Sequence, residues 1–209
     1  MPLLALADTT ITGHLGSAAC IGAIALGGMV FNMAYWLFGF LRMGTSGLTA
    51  QAHGTGNRTQ ALHVLYRSLI VAWGVALLLI AAQRPIFDAA FNFVTATHEV
   101  EQLTATYYRI LIWGAPAVLG LYSFAGWFLG MQNAKAPMVI AIGQNIINIV
   151  ASTVLVFGFA QGMAGVATGT LLAQYAGLFA AIIIWQKQYG KHQASAIKWR
   201  EVCNVTQFK

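Results

Sequence analysis

Residues 136–186 read APMVIAIGQNIINIVASTVLVFGFAQGMAGVATGTLLAQYAGLFAAIIIWQ, and no Asp, Glu, Lys or Arg interrupts them. A helix that crosses a membrane needs roughly 20 apolar residues, within a range of about 17–25. The stretch is too long for one crossing and suits two. Gly158-Phe159-Ala160-Gln161-Gly162 is where it divides, because glycines so close together punctuate a helix. The same freedom from charge recurs from Cys20 to Leu41 and from Ile110 to Ala134. A further apolar run, from about Leu62 to Gln83, carries Arg67 near one end, where a long side chain can snorkel toward the interface.

The composition agrees with this reading: 58% of the residues are hydrophobic and 8% charged, against about 25% charged in an ordinary soluble domain. Too few ionic groups are present to cover a soluble surface, and the solvent must be lipid. A shorter apolar piece, Pro2 to about Thr12, lacks a basic flank and holds Asp8, so it does not read as a signal peptide. It reads as the second half of a helix. The expectation is an all-α, polytopic membrane protein with spans at about 2–12, 20–41, 62–83, 108–131, 137–158 and 162–185. Together they form one lobe over 1–186, followed by a cytoplasmic linker or tail at 187–209.

The connections are read as a tight turn near Gly13, a long small-residue loop from Met43 to Ala61 and an external segment from Arg84 to Thr106, partly a surface helix. A short turn from Gln132 to Pro137 follows. If six spans alternate, nine of the eleven basic residues fall on one side. Arg84 and Arg109 fall on the other, with Asp88, Glu99 and Glu101. The basic side is expected to be cytoplasmic, and the net charge of +6 then calls for anionic head groups and no nucleic acid.

Chemistry concentrates at few positions. Asp8 is the one acidic residue inside an expected span, and a charge at the bilayer centre costs roughly 2.5–3.5 kcal/mol. Such a carboxyl faces a cavity, finds a partner or stays protonated, which suits proton exchange. Asn145, Asn148 and Ser152 recur at helical spacing on one span, Thr170 and Gln174 on the next, and Asn32, Tyr35, Trp36 and Gly39 on the second. Several polar stripes with one acid point to a shared cavity, against the plainer reading of interhelical glue. Tyr107 joins the expected cavity lining.

Other motifs carry less. His53-Gly54-Thr55-Gly56-Asn57 lacks the Lys-Ser/Thr of a phosphate loop, and the Asn57-Arg58-Thr59 sequon falls on the cytoplasmic side. The histidines are placed in loops, at span ends or in the tail, and Cys20 and Cys203 have no metal-like spacing. No nucleophile–base–metal constellation supports an enzyme.

Pro2-Leu3-Leu4-Ala5-Leu6-Ala7-Asp8-Thr9 with Gly13-His14-Leu15-Gly16 resembles the first-helix motif of the multidrug and toxic compound extrusion (MATE) transporters. The run Gly39-Phe40-Leu41-Arg42-Met43-Gly44-Thr45-Ser46-Gly47-Leu48-Thr49-Ala50-Gln51-Ala52 resembles the second-helix signature of that family's DNA-damage-inducible protein F branch. Residues Gly126 to Pro137 resemble its connection between helices four and five, and Gly165-Val166-Ala167-Thr168-Gly169-Thr170 its sixth-helix pattern. The resemblance implies the N-terminal six-helix lobe of a twelve-helix antiporter, with the first helix truncated and a second lobe as partner. Alternating access would exchange small drugs and xenobiotics for inward H⁺ or Na⁺, in a bacterial inner membrane and with no cofactor beyond the coupling ion.

Residue by residue, the resemblance puts Asp8, Asn148, Ser152 and Thr170 in the cation-coupling cluster. Ser152 stands where family members often carry a second aspartate, which favours H⁺ over Na⁺. Alternatives are a lipid-linked-sugar flippase of the same superfamily or a membrane domain without activity of its own. The flippase would need a cationic cavity, and on hydropathy alone no Lys or Arg sits mid-span.

Overall fold

The computed structural model describes residues 18–93 and 97–190. The expected span at about 2–12, with Asp8, lies outside the described residues, as does the tail from 191 onward. Among the described residues every regular element is a helix. Helix α1 (Ala18–Leu37) runs through a break at Phe38 into α2 (Gly39–Gly54). Then follow α3 (Arg58–Ala81), α4 (Gln83–Phe93), α5 (His98–Leu111), α6 (Ala115–Gly130), α7 (Lys135–Thr153) and α8 (Gly162–Tyr189). Five continuous segments among these residues are long and apolar enough to cross a membrane: Ala19–Gly54, Arg58–Ala81, His98–Gly130, Lys135–Gly158 and Gly162–Tyr189.

The loop expected from Met43 to Ala61 is a correction: the chain stays helical to Gly54 and resumes at Arg58. The turn is closed by local chemistry. The Thr55 hydroxyl donates to the Ala52 carbonyl at 3.0 Å, Gly56 takes φ +70°, and the Asn57 side chain caps α3 by accepting from the Gln60 amide at 3.0 Å. The small residues before it are packing residues. A Cβ at Gly126 of α6 would stand 2.5 Å from the Arg42 carbonyl oxygen, so α2 and α6 approach at backbone distance. Thr45 and Thr49 are buried at this crossing.

The external segment resolves into α4 and α5. Glu99 and Glu101 open α5 and Arg109 lies in its last turn, the charge order that complements a helix dipole. A 3₁₀ turn at Ile112–Gly114 joins α5 to α6. Pro116, in the first turn of α6, has no N–H to offer the preceding turn. Helix α7 ends in a π turn, Val154–Gly158, and Ala160 and Gly162 adopt positive φ, so the division expected at 158–162 is where the chain breaks.

Along α8, Gly165, Gly169, Ala173, Gly177 and Ala181 recur every fourth residue and form a smooth seam against α7. At Gly169 a Cβ would stand 2.6 Å from the Ser152 backbone nitrogen. Small residues are how helices associate when lipid offers no hydrophobic drive between them. The outward side of α7 (Met138, Val139, Ile142, Ile146, Val150) remains exposed, as a lipid-facing surface must. One end of the lobe gathers His53, Arg58, Met131 and Tyr189 around one pocket, with Asn133 donating to Gln188 at 2.8 Å. This is the end carrying the loops read as cytoplasmic.

Candidate functional site

The seam between α7 and α8 holds a buried polar cluster. Asn148 and Ser152 are both 0% exposed and Thr170 is 2% exposed. The Asn148 amide donates to the Thr170 hydroxyl at 2.9 Å, and that hydroxyl donates to the Val166 carbonyl at 3.0 Å. Asn148 Oδ1 and Ser152 Oγ are buried with no hydrogen-bond partner among the described residues. An unmade bond at a buried polar atom costs about 1–3 kcal/mol, so two side by side ask for a donor or a cation. Three of the four expected coupling residues therefore meet in space; the fourth, Asp8, lies outside the described residues.

Gln144 was missed. It lies four residues before Asn148, on the same face, and a Cβ at Gly177 would stand 2.5 Å from its side-chain carbons. The stripe that faces α8 is thus Gln144, Asn148 and Ser152, and the spacing of four was the available signal. Asn145, expected on that stripe, is turned aside and half-exposed; its amide donates to the Ala141 carbonyl of its own helix at 3.0 Å.

The expected cavity residues separate into two groups. Tyr35 and Trp36 line a groove of about 480 Å³ with Gly39, Arg42 and Tyr122. Arg42 and Tyr122 also line a second groove of about 250 Å³, with Gln144 and Asn145, so the two adjoin at these side chains. Tyr35 is itself buried and stacks on Phe31 with ring centroids 5.7 Å apart, while Trp36 is 81% exposed.

Asn32, Tyr107 and Gln174 line neither of these two grooves. Asn32 is exposed on α1. Tyr107 is buried against α1, where a Cβ at Gly27 would stand 2.7 Å from its ring. Gln174 packs into the space left by Gly114 at the 3₁₀ turn. There its neighbour Tyr175 donates to the Trp113 carbonyl at 2.8 Å. For Tyr107 and Gln174 the pull toward the core is steric: a tight helix approach admits a planar ring or amide where a Cβ is missing.

Two further placements differ from expectation. His63, assigned to a span end, is buried inside α3 with Nε2 unpartnered among the described residues. Arg42, assigned to a flank, stands twelve residues before the end of α2 at Gly54. That is about 18 Å of helix at 1.5 Å per residue, yet its carbonyl packs on Gly126, four residues before the end of α6, so Arg42 stands inside a helix and level with the last turn of its neighbour.

A family model described as MatE matches residues 1–154. The chain is 36% identical over 187 residues to DNA damage-inducible protein F of Escherichia coli strain K12, covering 90% of this chain and 41% of that protein. It is 25% identical over 194 residues to the probable multidrug resistance protein NorM of Thermotoga maritima, with 90% and 41% covered. Among solved structures, an inward-facing multidrug resistance MATE transporter of the MOP superfamily matches with TM-score 0.81 at 25% identity, over 87% of this chain and 41% of that one. An outward-facing one matches with TM-score 0.84 at 23% identity, over 98% and 45%. The chain spans about two fifths of the length of the curated relatives it matches.

Proposed function

Since the chain belongs to the MatE family, a family of multi-pass membrane transporters rather than enzymes, we propose that it forms the N-terminal lobe of a cation-coupled multidrug efflux antiporter. It works by alternating access against a second six-helix lobe, in the bacterial inner membrane. The substrates are small drugs and xenobiotics, and H⁺ rather than Na⁺ is the coupling ion. The observation that carries this reading is the buried cluster of Asn148, Ser152 and Thr170, with two acceptor oxygens left open in a seam too tight for bulk water. With a hydroxyl at Ser152, the cluster has no carboxylate among the described residues to balance a metal ion's charge, which favours H⁺ carried by Asp8 over Na⁺.

The lobe matches inward- and outward-facing solved folds at similar TM-scores. That supports a rigid lobe that rocks, since a helix rearrangement would favour one of the two. Asp8 supplies the titrating carboxyl. The proposal is tested in proteoliposomes holding the chain assembled with a second lobe, with drug efflux driven by an imposed pH or Na⁺ gradient. Asp8→Asn and Asn148→Ala should abolish pH-driven efflux while leaving insertion normal, and a Na⁺ gradient alone should drive nothing. Efflux that follows Na⁺, or survives Asp8→Asn, would count against it.

A further inference from the structure

Arg42 lines a groove that no acidic residue among those described shares. The groove residues Gln144 and Asn145 follow Lys135 at the start of α7 by nine and ten residues, about 14–15 Å of helix. The crossing segment Lys135–Gly158 has 24 residues, about 36 Å, so the groove runs from one end of the segment, at Pro137, into a hydrocarbon core of about 30 Å. Asp88, Glu99 and Glu101, the acidic residues among those described, sit on α4 and in the first turn of α5, toward the opposite end. A guanidinium at the mouth of such a groove can reach into it or snorkel outward, and an anion bound in the groove would hold it inward.

The walls specify what it would hold. Tyr122 contributes a hydroxyl, Gln144 and Asn145 contribute amides, and Leu121, Phe124 and Ile140 form an apolar side. Past Tyr122 the adjoining groove brings Tyr35 and Trp36. The planar guanidinium presents five donors and suits a carboxylate or sulfonate in two-point contact. The apolar wall and the aromatic extension suit a hydrocarbon or aromatic body.

We propose that the Arg42 groove is a binding subsite for amphipathic organic anions, with the acid group on Arg42 and the apolar body along Tyr122 and Trp36. This deepens the exporter reading by naming a substrate class, and it rests on that reading only in calling the bound anion a substrate. The chain in phosphatidylcholine nanodiscs is titrated with 1-pyrenebutanoate, neutral 1-pyrenebutanol and (1-pyrenebutyl)trimethylammonium, with tryptophan-to-pyrene energy transfer as the readout. The anion should bind at least about tenfold tighter than the cation. Arg42→Gln should erase that preference while leaving the alcohol within about twofold, and Arg42→Lys should keep part of it.

Equal binding of the three probes, an Arg42→Gln effect shared by all three, or displacement of the anion by phosphatidylglycerol would overturn the proposal. The two readings fail separately. Loss of anion selectivity with Asn148-dependent efflux intact removes this inference alone, whereas Arg42-dependent binding without coupled efflux removes the exporter reading alone.

Discussion

Substituting Gly169 by alanine tests whether the seam between α7 and α8 sets the geometry of the polar cluster. The added Cβ would stand 2.6 Å from the backbone nitrogen of Ser152 and 2.7 Å from its Cα, where ordinary contact begins at 3.4 Å. The obstacle is backbone, so no side chain can swing away; α7 must retreat by about 0.8 Å or tilt. Overpacking of this kind costs about 1–3 kcal/mol, which corresponds to several degrees in Tm for a chain of this size. The same retreat stretches the 2.9 Å bond from Asn148 to Thr170 beyond hydrogen-bond length, because both partners sit on the parting helices. Gly143→Ala is the control: nothing lies within 4 Å of a Cβ there, and alanine favours a helix over glycine by about 1 kcal/mol. Thermal unfolding in detergent should show Gly169→Ala melting lower than the parent and Gly143→Ala melting at or above it. Equal melting of the two variants would refute the argument that backbone contact at Gly169 holds the seam.

Ser68 joins Thr45 at 2.6 Å and Ser123 at 2.7 Å in a buried hydroxyl chain across α2, α3 and α6. At about 0.6 kcal/mol per interhelical bond, Ser68→Ala should destabilise by about 1 kcal/mol, and the exposed Thr106→Val by less; equal midpoints in a denaturant titration would count against the chain. Orientation is checked by cysteine labelling in intact cells, on a background with Cys20 and Cys203 replaced. Thr55→Cys should react with an impermeant maleimide only after the cells are opened, and Thr97→Cys before. The reverse pattern would invert the topology.

The hydropathy and spacing of the sequence placed most of the helices and the buried meeting of Asn148, Ser152 and Thr170, because both obey one period. Asn148 and Ser152 lie four apart on α7 and meet α8 as that spacing requires. Asn145 belongs to a neighbouring row, and a one-dimensional stripe could not say which of two adjacent rows faces the next helix. That was decided by the glycines of α8, whose missing side chains admit Gln144 and Ser152. Glycines also decide where Tyr107 and Gln174 pack. Each fills a space opened by a glycine on another helix, Gly27 or Gly114, and such pairing is invisible until the helices are in contact.

The loop misread from Met43 to Ala61 and the misplaced Arg42 have one cause. A charge-free window ends where a charge appears, so Arg42 looked like the membrane boundary and the glycines after it like a loop. Yet the helix ends where its backbone is capped, and the capping chemistry is at Thr55, Gly56 and Asn57. Between those points lies a helix that is polar on a groove side and small on the α6 side, a combination hydropathy scores as non-membrane. Arg67 stands nine residues into α3, at a similar depth, and does not line the groove. Each arginine stands inside a helix rather than in a loop. Setting both aside leaves seven basic residues on one side against Arg84 and Arg109 on the other, so the orientation argument survives without them. The two arginines need separate explanations, and for Arg42 the groove supplies one.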